Sequence, residues 1–325
     1  MKNGVCCICG VEGRGSIVET REMMFGLGDI FYYLECPSCH TLSLLNTPID
    51  MKEYYTNDYY SFEEQEQRAS LGKLLRIQLA RKRAQSLVES NSLFWRLSRR
   101  LSRTAHHHLW LKEIYKVSFD LKLLDVGCGQ GRLLQFMVKE GFRNLTGVDP
   151  YIEDSIESNC IKIVKGDLYD VEDDCFDVVL FNHSLEHIDH PKEALKRVKS
   201  ILCRNGYCII STPVADSFAF AKYRNHWIQI DAPRHLQVFS RKGLEILASI
   251  NGFKIERIIF NSNEFQFWGS EQYSVGIPLY SVNSFMVNPS GSIFSKKDVR
   301  TYRKEASALN RKNLGDQAIF ILRSC

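Results

Sequence analysis

The chain reads Leu124-Asp125-Val126-Gly127-Cys128-Gly129-Gln130-Gly131 a little over a third of the way along its 325 residues. Residues 121–126 form a short apolar run typical of a buried strand, and three closely spaced glycines follow before an apolar helical pattern that stops at Gly141. Glycines at such a turn let backbone N–H groups approach a ligand at the start of a helix. The stretch predicts a strand, turn and helix of an α/β fold, with a ligand at the turn.

An acidic residue ends the next predicted strand, which covers residues 144–149. Asp149 follows Gly131 by 18 residues, a position from which a carboxylate can accept hydrogen bonds from both hydroxyls of a ribose. The spacing Gly-x-Gly-x-Gly after Asp125 differs from the Gly-x-Gly-x-x-Gly fingerprint of dinucleotide sites, which argues against NAD. We expect a different ribose-containing ligand.

The glycine turn resembles motif I of the class I S-adenosylmethionine-dependent methyltransferases, and the resemblance covers roughly residues 115–260 and the last strand. Later motifs agree with it. Lys165-Gly166-Asp167-Leu168 resembles the loop whose acid caps the adenine amine in that family, and His183-Ser184-Leu185-Glu186-His187 is similar to its "leEH" signature. The resemblance implies a Rossmann-like α/β sheet of seven strands in the order 3-2-1-4-5-7-6.

The cofactor implied by this resemblance is S-adenosylmethionine. Asp125 would orient the glycine loop, and Asn182 would lie beside the methionine end. The full set of expected cofactor residues is Asp125, Gly127, Gly129, Gly131, Asp149, Asp167, Leu168 and Asn182.

The remaining elements of the sheet follow from apolar runs and helix signals. Strands are predicted at residues 160–164, 177–182, 207–212, 253–260 and 317–323. Pro191 opens one predicted helix, and Ser240 caps another.

Five of the 11 cysteines fall within the first 39 residues. Cys6-x-x-Cys9 and Cys36-x-x-Cys39 form two knuckles, and residues 16–20 and 30–34 between them read as strands. Four thiolates on two such knuckles can surround zinc tetrahedrally and leave no open position for chemistry, so we expect a structural Zn²⁺ in a zinc ribbon over residues 1–50. Cys7 or His40 could replace a ligand in a shifted pairing, and a redox role for the thiols is the less favoured alternative.

Histidines supply the candidate catalytic bases, because methyl transfer to a hydroxyl or an acidic carbon requires a group that accepts a proton. His235 lies in an insertion over residues 213–239, which resembles a stretch of zinc-ribbon-bearing sugar C-methyltransferases with the pattern Y-x-E-H-L-x-x-F-S. Ala232 and Arg234 replace the Tyr and Glu of that pattern, which leaves the mechanism of C-methylation in doubt. The candidates are His235, His183 and His187 for catalysis, with Arg234 and Trp227 for substrate.

Charge is distributed unevenly along the chain, although the formal net charge is only +4. Residues 68–116 hold 12 Lys and Arg against 2 Asp and Glu, whereas residues 120–212 hold 11 against 16. We therefore expect a basic helical linker or lid over residues 51–118 and a methyltransferase domain over 119–325. The run His106-His107-His108 is not expected to bind metal, because successive helical positions point in different directions.

A second insertion, over residues 261–316, is rich in aromatic residues that could pack a core, line an acceptor pocket or form a dimer face. Composition favours a folded, soluble protein, since 44% of residues are hydrophobic, 25% are charged and only 8 are Pro. No apolar run reaches the length of a membrane span, and no signal peptide is recognised. These features favour a reducing cytoplasm, in which the cysteines would not form disulfides.

The function expected from the sequence is methyl transfer from S-adenosylmethionine to a small-molecule or carrier-linked acceptor, such as a sugar or another biosynthetic intermediate. One alternative is a zinc-ribbon methyltransferase that acts on RNA through its basic helices. The other is a non-catalytic zinc-binding scaffold, which the intact glycine loop and both acids disfavour.

Overall fold

The computed structural model describes residues 4–55, 71–88, 107–172 and 175–324. The N-terminal part is built from short antiparallel strands, which include the two predicted between the cysteine knuckles. Strands β1 (Gly4–Val5) and β2 (Glu12–Gly13) form a hairpin around the first knuckle. Strands β3 (Ser16–Arg21), β4 (Ile30–Glu35) and β5 (Leu42–Leu44) form a sheet, and the second knuckle joins β4 to β5.

The central sheet has eight strands, in the order β13-β14-β11-β10-β6-β7-β9-β8. The seven predicted strands all occur, and an additional strand of two residues pairs antiparallel with β9 at the edge. The observed order therefore differs from the prediction by this eighth strand. The strands are β6 (Lys122–Val126), β7 (Asn144–Asp149), β8 (Ile156–Glu157), β9 (Ile161–Lys165), β10 (Phe176–Asn182), β11 (Leu202–Pro213), β13 (Phe253–Phe260) and β14 (Gln317–Ser324).

Local signals position the helices that follow these strands. Gly131 and Gly141 flank the helix after β6, both in the left-handed region that suits glycine. Pro191 and the Ser240 side chain begin two others as predicted, and Ser240 Oγ accepts from the Gly243 N–H. The helices are α1 (Leu71–Val88), α2 (His108–Leu111), α3 (Arg132–Glu140), α4 (Pro191–Ile201), α5 (Phe218–Tyr223), α6 (Arg241–Ile250), α7 (Phe265–Ser274) and α8 (Lys296–Arg311).

Only part of the predicted basic linker at 51–118 falls within the described residues. A 3-10 turn at Met51–Tyr54, α1 and α2 belong to it, whereas residues 56–70 and 89–106 lie outside the described ranges. Helix α1 packs on α3 of the central fold. No helix in the described ranges combines the length and the apolar character that a membrane crossing requires.

The first insertion, at 213–239, extends the N-terminal sheet. Its strand β12 (Gln237–Val238) pairs antiparallel with β5, so that four strands run in the order β12-β5-β4-β3. The Leu44 N–H also donates to Leu236 O at 2.9 Å. The predicted ribbon and the insertion are thus joined by backbone hydrogen bonds.

The second insertion, at 261–316, forms α7 and α8, and its aromatic side chains pack mainly on one another. Phe267 and Tyr302 stack at 5.3 Å between ring centroids, and Trp268 lies 5.1 Å from Phe285. Tyr280 stacks at 5.4 Å on Phe25 of the N-terminal part. Among the three expected roles of these aromatics, core packing is the one that these contacts show.

One expectation about the cysteines is corrected. Cys175 and Cys203 form a disulfide, although the sequence had suggested that the cysteines would not pair. The two residues precede or begin neighbouring parallel strands, since Phe176 of β10 pairs with Leu202 of β11. Their proximity depends on strand register, which the spacing of cysteines does not reveal.

Candidate active site

The glycine turn lies at the carboxyl end of β6, next to the carboxyl end of β7. Gly127, Gly129 and Gly131 all have positive φ angles. A Cβ atom at Gly127 would lie 2.6 Å from Ser184 Cβ, so a larger residue there would push the turn away from the loop after β10. The Gly127 N–H donates to Val148 O at 2.8 Å, which ties the turn to β7.

Asp149 at the end of β7 braces this turn. Its Oδ2 accepts from the Gly129 N–H at 2.8 Å, and its Oδ1 accepts from the Tyr151 N–H at 2.9 Å. Each carboxylate oxygen has two acceptor positions, so each retains one for a ligand hydroxyl. Burial raises the pKa of Asp149, whereas these two backbone donors lower it.

A cleft of about 260 Å³ opens at this edge of the sheet. Asp167 and Leu168 belong to its lining, with the Asp167 carboxylate exposed and the Leu168 side chain buried. The expected residues that it brings together are Gly127, Asp149, Asp167, Leu168, His183 and His187. Those placed outside the lining are Asp125, Gly129, Gly131, Asn182 and His235.

Two tyrosines that the sequence analysis did not select close one side of the cleft. Tyr55, which follows the predicted ribbon, stacks on Tyr151 with ring centroids 5.3 Å apart. The Tyr55 hydroxyl lies 3.1 Å from His187 Nδ1. No local pattern marks Tyr55, because its partners lie about 100 residues or more further along the chain.

Buried polar atoms without a hydrogen-bond partner gather at the same edge of the sheet. Within the described ranges they include Asp125 Oδ1 on β6, together with Ser211 Oγ and Thr212 Oγ1 near the end of β11. Burial, with the nearby charge of Asp149, raises the pKa of Asp125 to about 8. Buried polar groups without partners in the protein indicate a place for a ligand or ordered water.

His187 presents a neutral imidazole to the cleft. Its Nδ1 lies 2.8 Å from the carbonyl oxygen of Arg234, which can only accept, so Nδ1 carries the proton and Nε2 a lone pair. Burial and the proximity of His235 outweigh the attraction of Glu186 and lower the pKa of His187 to about 4. The ring is therefore unprotonated at neutral pH.

His235 lies one layer behind His187. The two rings are 4.8 Å apart at an angle of 66°. His235 Nδ1 donates to Gln229 O at 2.9 Å, and its backbone carbonyl accepts from the Tyr33 hydroxyl of β4 at 2.7 Å. The N-terminal sheet thus holds the segment that carries His235.

Glu186 lies beside both rings and was not selected from the sequence as a site residue. Its carboxylate is 0% exposed, and neither oxygen has a hydrogen-bond partner among the described residues. Burial alone would raise the pKa of Glu186, but the contact with His183, whose Nδ1 lies 3.5 Å away, and the proximity of His235 and His187 lower it to about 2. Glu186 therefore places an ionised carboxylate next to these histidines.

Arg234, an expected substrate ligand, is enclosed by the protein. Its Nη2 contacts Asp231 Oδ1 at 2.6 Å and Glu22 Oε1 at 3.0 Å, and its Nη1 donates to Tyr54 O at 3.2 Å. The residue is 1% exposed. Arg234 therefore pairs with groups inside the protein. These contacts join the predicted ribbon to the insertion.

Trp227, the other expected substrate residue, is also buried. Its indole N–H donates to Asp316 Oδ2 at 3.1 Å, and its ring lies 5.5 Å from that of Phe220. The structure therefore places Trp227 in a packed aromatic cluster and not in the cleft lining.

The four predicted knuckle cysteines converge at one point. Cys6 Sγ lies 3.6 Å from Cys39 Sγ, and Cys9 Sγ lies 3.5 Å from Cys36 Sγ. A tetrahedron with metal–sulfur bonds of about 2.3 Å has edges of about 3.8 Å, close to these separations. The alternative ligands point elsewhere, since Cys7 Sγ contacts Ser43 Oγ at 3.7 Å and His40 Nδ1 lies 3.8 Å from Glu35 Oε1.

The sequence profile of the methyltransferase domain matches residues 66–258, which is more than half of the chain. The chain therefore belongs to the methyltransferase-domain family. The motifs that carried the resemblance, from the glycine turn to the insertion at 213–239, fall inside this range.

The curated proteins that are similar to this chain share one name. The ubiquinone biosynthesis O-methyltransferase of Rickettsia conorii is 28% identical over 176 residues, which cover 48% of this chain and 59% of the relative. The protein of the same name from Rickettsia bellii is 30% identical over 112 residues, which cover 31% of this chain and 46% of the relative. The chain thus spans about half the length of the curated relatives it matches.

Solved structures align over larger parts of the chain at lower identity. A methyltransferase dependent on S-adenosylmethionine, from Archaeoglobus fulgidus, gives a TM-score of 0.40 at 19% identity and covers 68% of this chain and 100% of its own. A cyclopropane synthase from Mycobacterium tuberculosis gives a TM-score of 0.42 at 13% identity, with 81% and 88% covered.

Proposed function

We propose that this chain transfers a methyl group from S-adenosylmethionine to a small-molecule or carrier-linked acceptor, with His187 as the base. The observation that carries the proposal is the cleft itself, in which the glycine turn and Asp149 face a neutral imidazole. The name of the curated relatives supports an acceptor that is methylated on oxygen. A sugar or another biosynthetic intermediate fits the resemblance to the zinc-ribbon methyltransferases.

The residues of the cleft fit S-adenosylmethionine. Asp149 retains acceptor positions for ribose hydroxyls, and Asp167 is exposed at the rim for the adenine amine. Asp125 Oδ1 and Thr212 Oγ1 do not belong to the cleft lining, but both are buried near the ends of β6 and β11 without a hydrogen-bond partner among the described residues, which supports a place for the polar methionine end at this edge of the sheet. When bound there, the cofactor supplies a methyl group that its sulfonium has already activated.

The protein's part of the reaction is then to align the acceptor and to remove its proton. For methylation on oxygen, His187 Nε2 would accept the proton that the acceptor hydroxyl releases as the methyl group leaves the sulfonium, which would keep the electron pair of the broken C–S bond as a neutral thioether. Ionised Glu186 stabilises the imidazolium that forms. His235 and Arg234 hold the ring in place from behind, so we assign them positioning roles.

We propose further that Cys6, Cys9, Cys36 and Cys39 hold a structural Zn²⁺. Four sulfur donors with separations near a tetrahedral edge support this assignment. Such a metal has no open position, so its contribution is to fold the sheet on which β12 and the His235 segment depend.

Labelled methyl transfer tests the proposal. The purified chain is incubated with methyl-labelled S-adenosylmethionine and with separate small-molecule and RNA fractions of the producing cells. We expect label in the small-molecule fraction, and we expect His187→Gln to reduce the rate by about 100-fold or more, the usual contribution of a general base. His226→Gln, an exposed histidine of the same insertion, is the matched control and should keep the rate.

Label that enters only the RNA fraction would replace the acceptor proposed here with RNA. A His187→Gln variant with the rate of the parent protein would remove His187 as the base while leaving methyl transfer itself intact.

A further inference from the structure

An exposed apolar loop joins α7 to α8 in the second insertion. Its residues 275–295 contain no charged side chain. Val282, Met286, Val287 and Ile293 are between 49% and 75% exposed, although aliphatic side chains of this size more often lie inside a folded protein. Grouped apolar side chains on a surface mark a place of interaction.

The base of this loop is anchored, which brings its exposed aliphatic side chains together. Phe285 and Phe294 lie with ring centroids 6.2 Å apart, and the Phe285 N–H donates to Gln272 Oε1 at 2.6 Å. Met286 follows the first of these rings in the chain, and Ile293 precedes the second. Both therefore leave the packed interior from neighbouring points.

Positive charge follows directly after the loop. Lys296, Lys297 and Arg300 are exposed on the first turns of α8, and Lys296 comes three positions after Ile293. The stretch 272–297 contains no acidic residue that would neutralise them locally. Exposed aliphatic side chains and exposed cations thus lie side by side at this end of the insertion.

An anionic lipid surface fits this arrangement better than a second copy of the chain or RNA. A second copy would bring two sets of lysines together, and like charges in contact repel. RNA would attract the cations, but aliphatic side chains offer no ring on which its bases could stack. A lipid surface matches both features, because its head groups attract Lys and Arg while the boundary with the acyl chains takes up apolar side chains.

We propose that the apolar loop and the start of α8 dock this chain on an anionic membrane surface. The four exposed aliphatic side chains enter the boundary between head groups and acyl chains, and the cations of α8 contact lipid phosphates. The docking is peripheral, since only side chains of a loop enter the lipid. It does not depend on the methyl transfer proposed above, so either proposal can fail without the other.

Sedimentation of the full chain with lipid vesicles tests this surface. We expect binding to vesicles of phosphatidylcholine mixed with phosphatidylglycerol, little binding to phosphatidylcholine alone, and weaker binding as the salt concentration rises. Lys296→Gln combined with Lys297→Gln should weaken binding by roughly 30-fold, since each cation near such a surface contributes about 1 kcal/mol. Met286→Ser combined with Ile293→Ser should weaken it by at least about 10-fold, because less apolar surface enters the lipid.

Matched controls alter the same kinds of side chain on other elements. Ile250→Ser on α6 and Lys254→Gln on β13, both at exposed positions, should leave binding unchanged. Absence of binding to the mixed vesicles would overturn the proposal, as would undiminished binding by the Met286→Ser and Ile293→Ser protein. A dimer in analytical ultracentrifugation that these two substitutions dissociate would also overturn it, because a second copy would then cover the loop.

Discussion

At the scale of single residues, His187 acquires its charge state from its surroundings. Burial and His235 lower the pKa of His187 from 6.5 to about 4. Between these values the unfolded chain binds the proton more readily than the folded chain, so the free energy of unfolding falls as the pH falls through this window. Nothing in the adjacent sequence indicates this shift.

We predict that the loss of stability between pH 7 and pH 5 is smaller in His187→Gln than in the unaltered protein. Glutamine cannot take up a proton, so the contribution of residue 187 to the pH dependence of the free energy of unfolding disappears. Urea unfolding at the two pH values measures the difference. Equal losses in both proteins would contradict a neutral, buried His187.

For Asp125, the free energy of unfolding is expected to change with pH in the opposite direction. Its pKa is raised from 3.8 to about 8, so the folded protein retains a proton that the unfolded chain releases. The free energy of unfolding in the absence of ligand should therefore fall as the pH rises toward 8.

Asp125→Asn keeps the shape of the side chain and removes this titration, so we predict a smaller decline of stability between pH 6 and pH 9. Urea unfolding again provides the measurement, with the exposed Asp120→Asn as the control. A decline in Asp125→Asn as large as that of the control would argue against a protonated Asp125.

The sequence identified the residues of this site whose roles depend on local structure. Gly127 and Asp149 were predicted from the strand and turn pattern together with the family resemblance, and both line the cleft at the ends of neighbouring strands. Arg234 and Tyr55 could not be assigned in this way, because their partners Glu22 and His187 lie 212 and 132 residues away in the sequence. Burial and long-range contacts decide their roles.

At the scale of elements, strand β12 links the predicted ribbon to the catalytic fold. Strong local signals, such as Pro191 and Ser240, predicted their helices well. Strand β12 has only two residues, and its partner β5 lies nearly 200 residues earlier, so periodicity could not reveal it. Through this pairing, the zinc site that we propose would support the residues around His235.

Arg234 pairs with carboxylates from both sides of this link. We predict that Arg234→Met destabilises the protein by about 3–5 kcal/mol, because it removes the cation that pairs with the buried carboxylates of Glu22 and Asp231. Urea unfolding measures the change. Adding Glu22→Gln should recover part of the loss, whereas strictly additive effects of the two substitutions would show that these side chains do not interact.

At the scale of the whole molecule, the cysteine cluster and the cleft proposed for the cofactor lie apart, and the insertion at 213–239 pairs with the N-terminal sheet. We predict that Cys39→Ser lowers the rate of methyl transfer much more than the affinity for S-adenosylmethionine, since in the described part of the chain no hydrogen bond joins these cysteines to the glycine turn or to Asp149. Transfer and binding assays on the same preparation measure the two effects. A parallel loss of both would mean that the cleft itself depends on the cysteine cluster.

The family and most of the central sheet followed from the sequence because they depend on strand order and short motifs. The close association of the N-terminal sheet with the insertion did not, since it arises from contacts such as the hydrogen bond from Tyr33 to His235 O across 202 residues.

The central claim is that the cleft binds S-adenosylmethionine through the glycine turn and Asp149, and titration calorimetry tests it most directly. We predict one cofactor bound per chain, with an affinity at least about 10-fold lower in Asp149→Ala, in keeping with the roughly 1.5–3 kcal/mol of a hydrogen bond to a charged group. Absence of binding by the folded, unaltered protein, or full affinity in Asp149→Ala, would contradict the account.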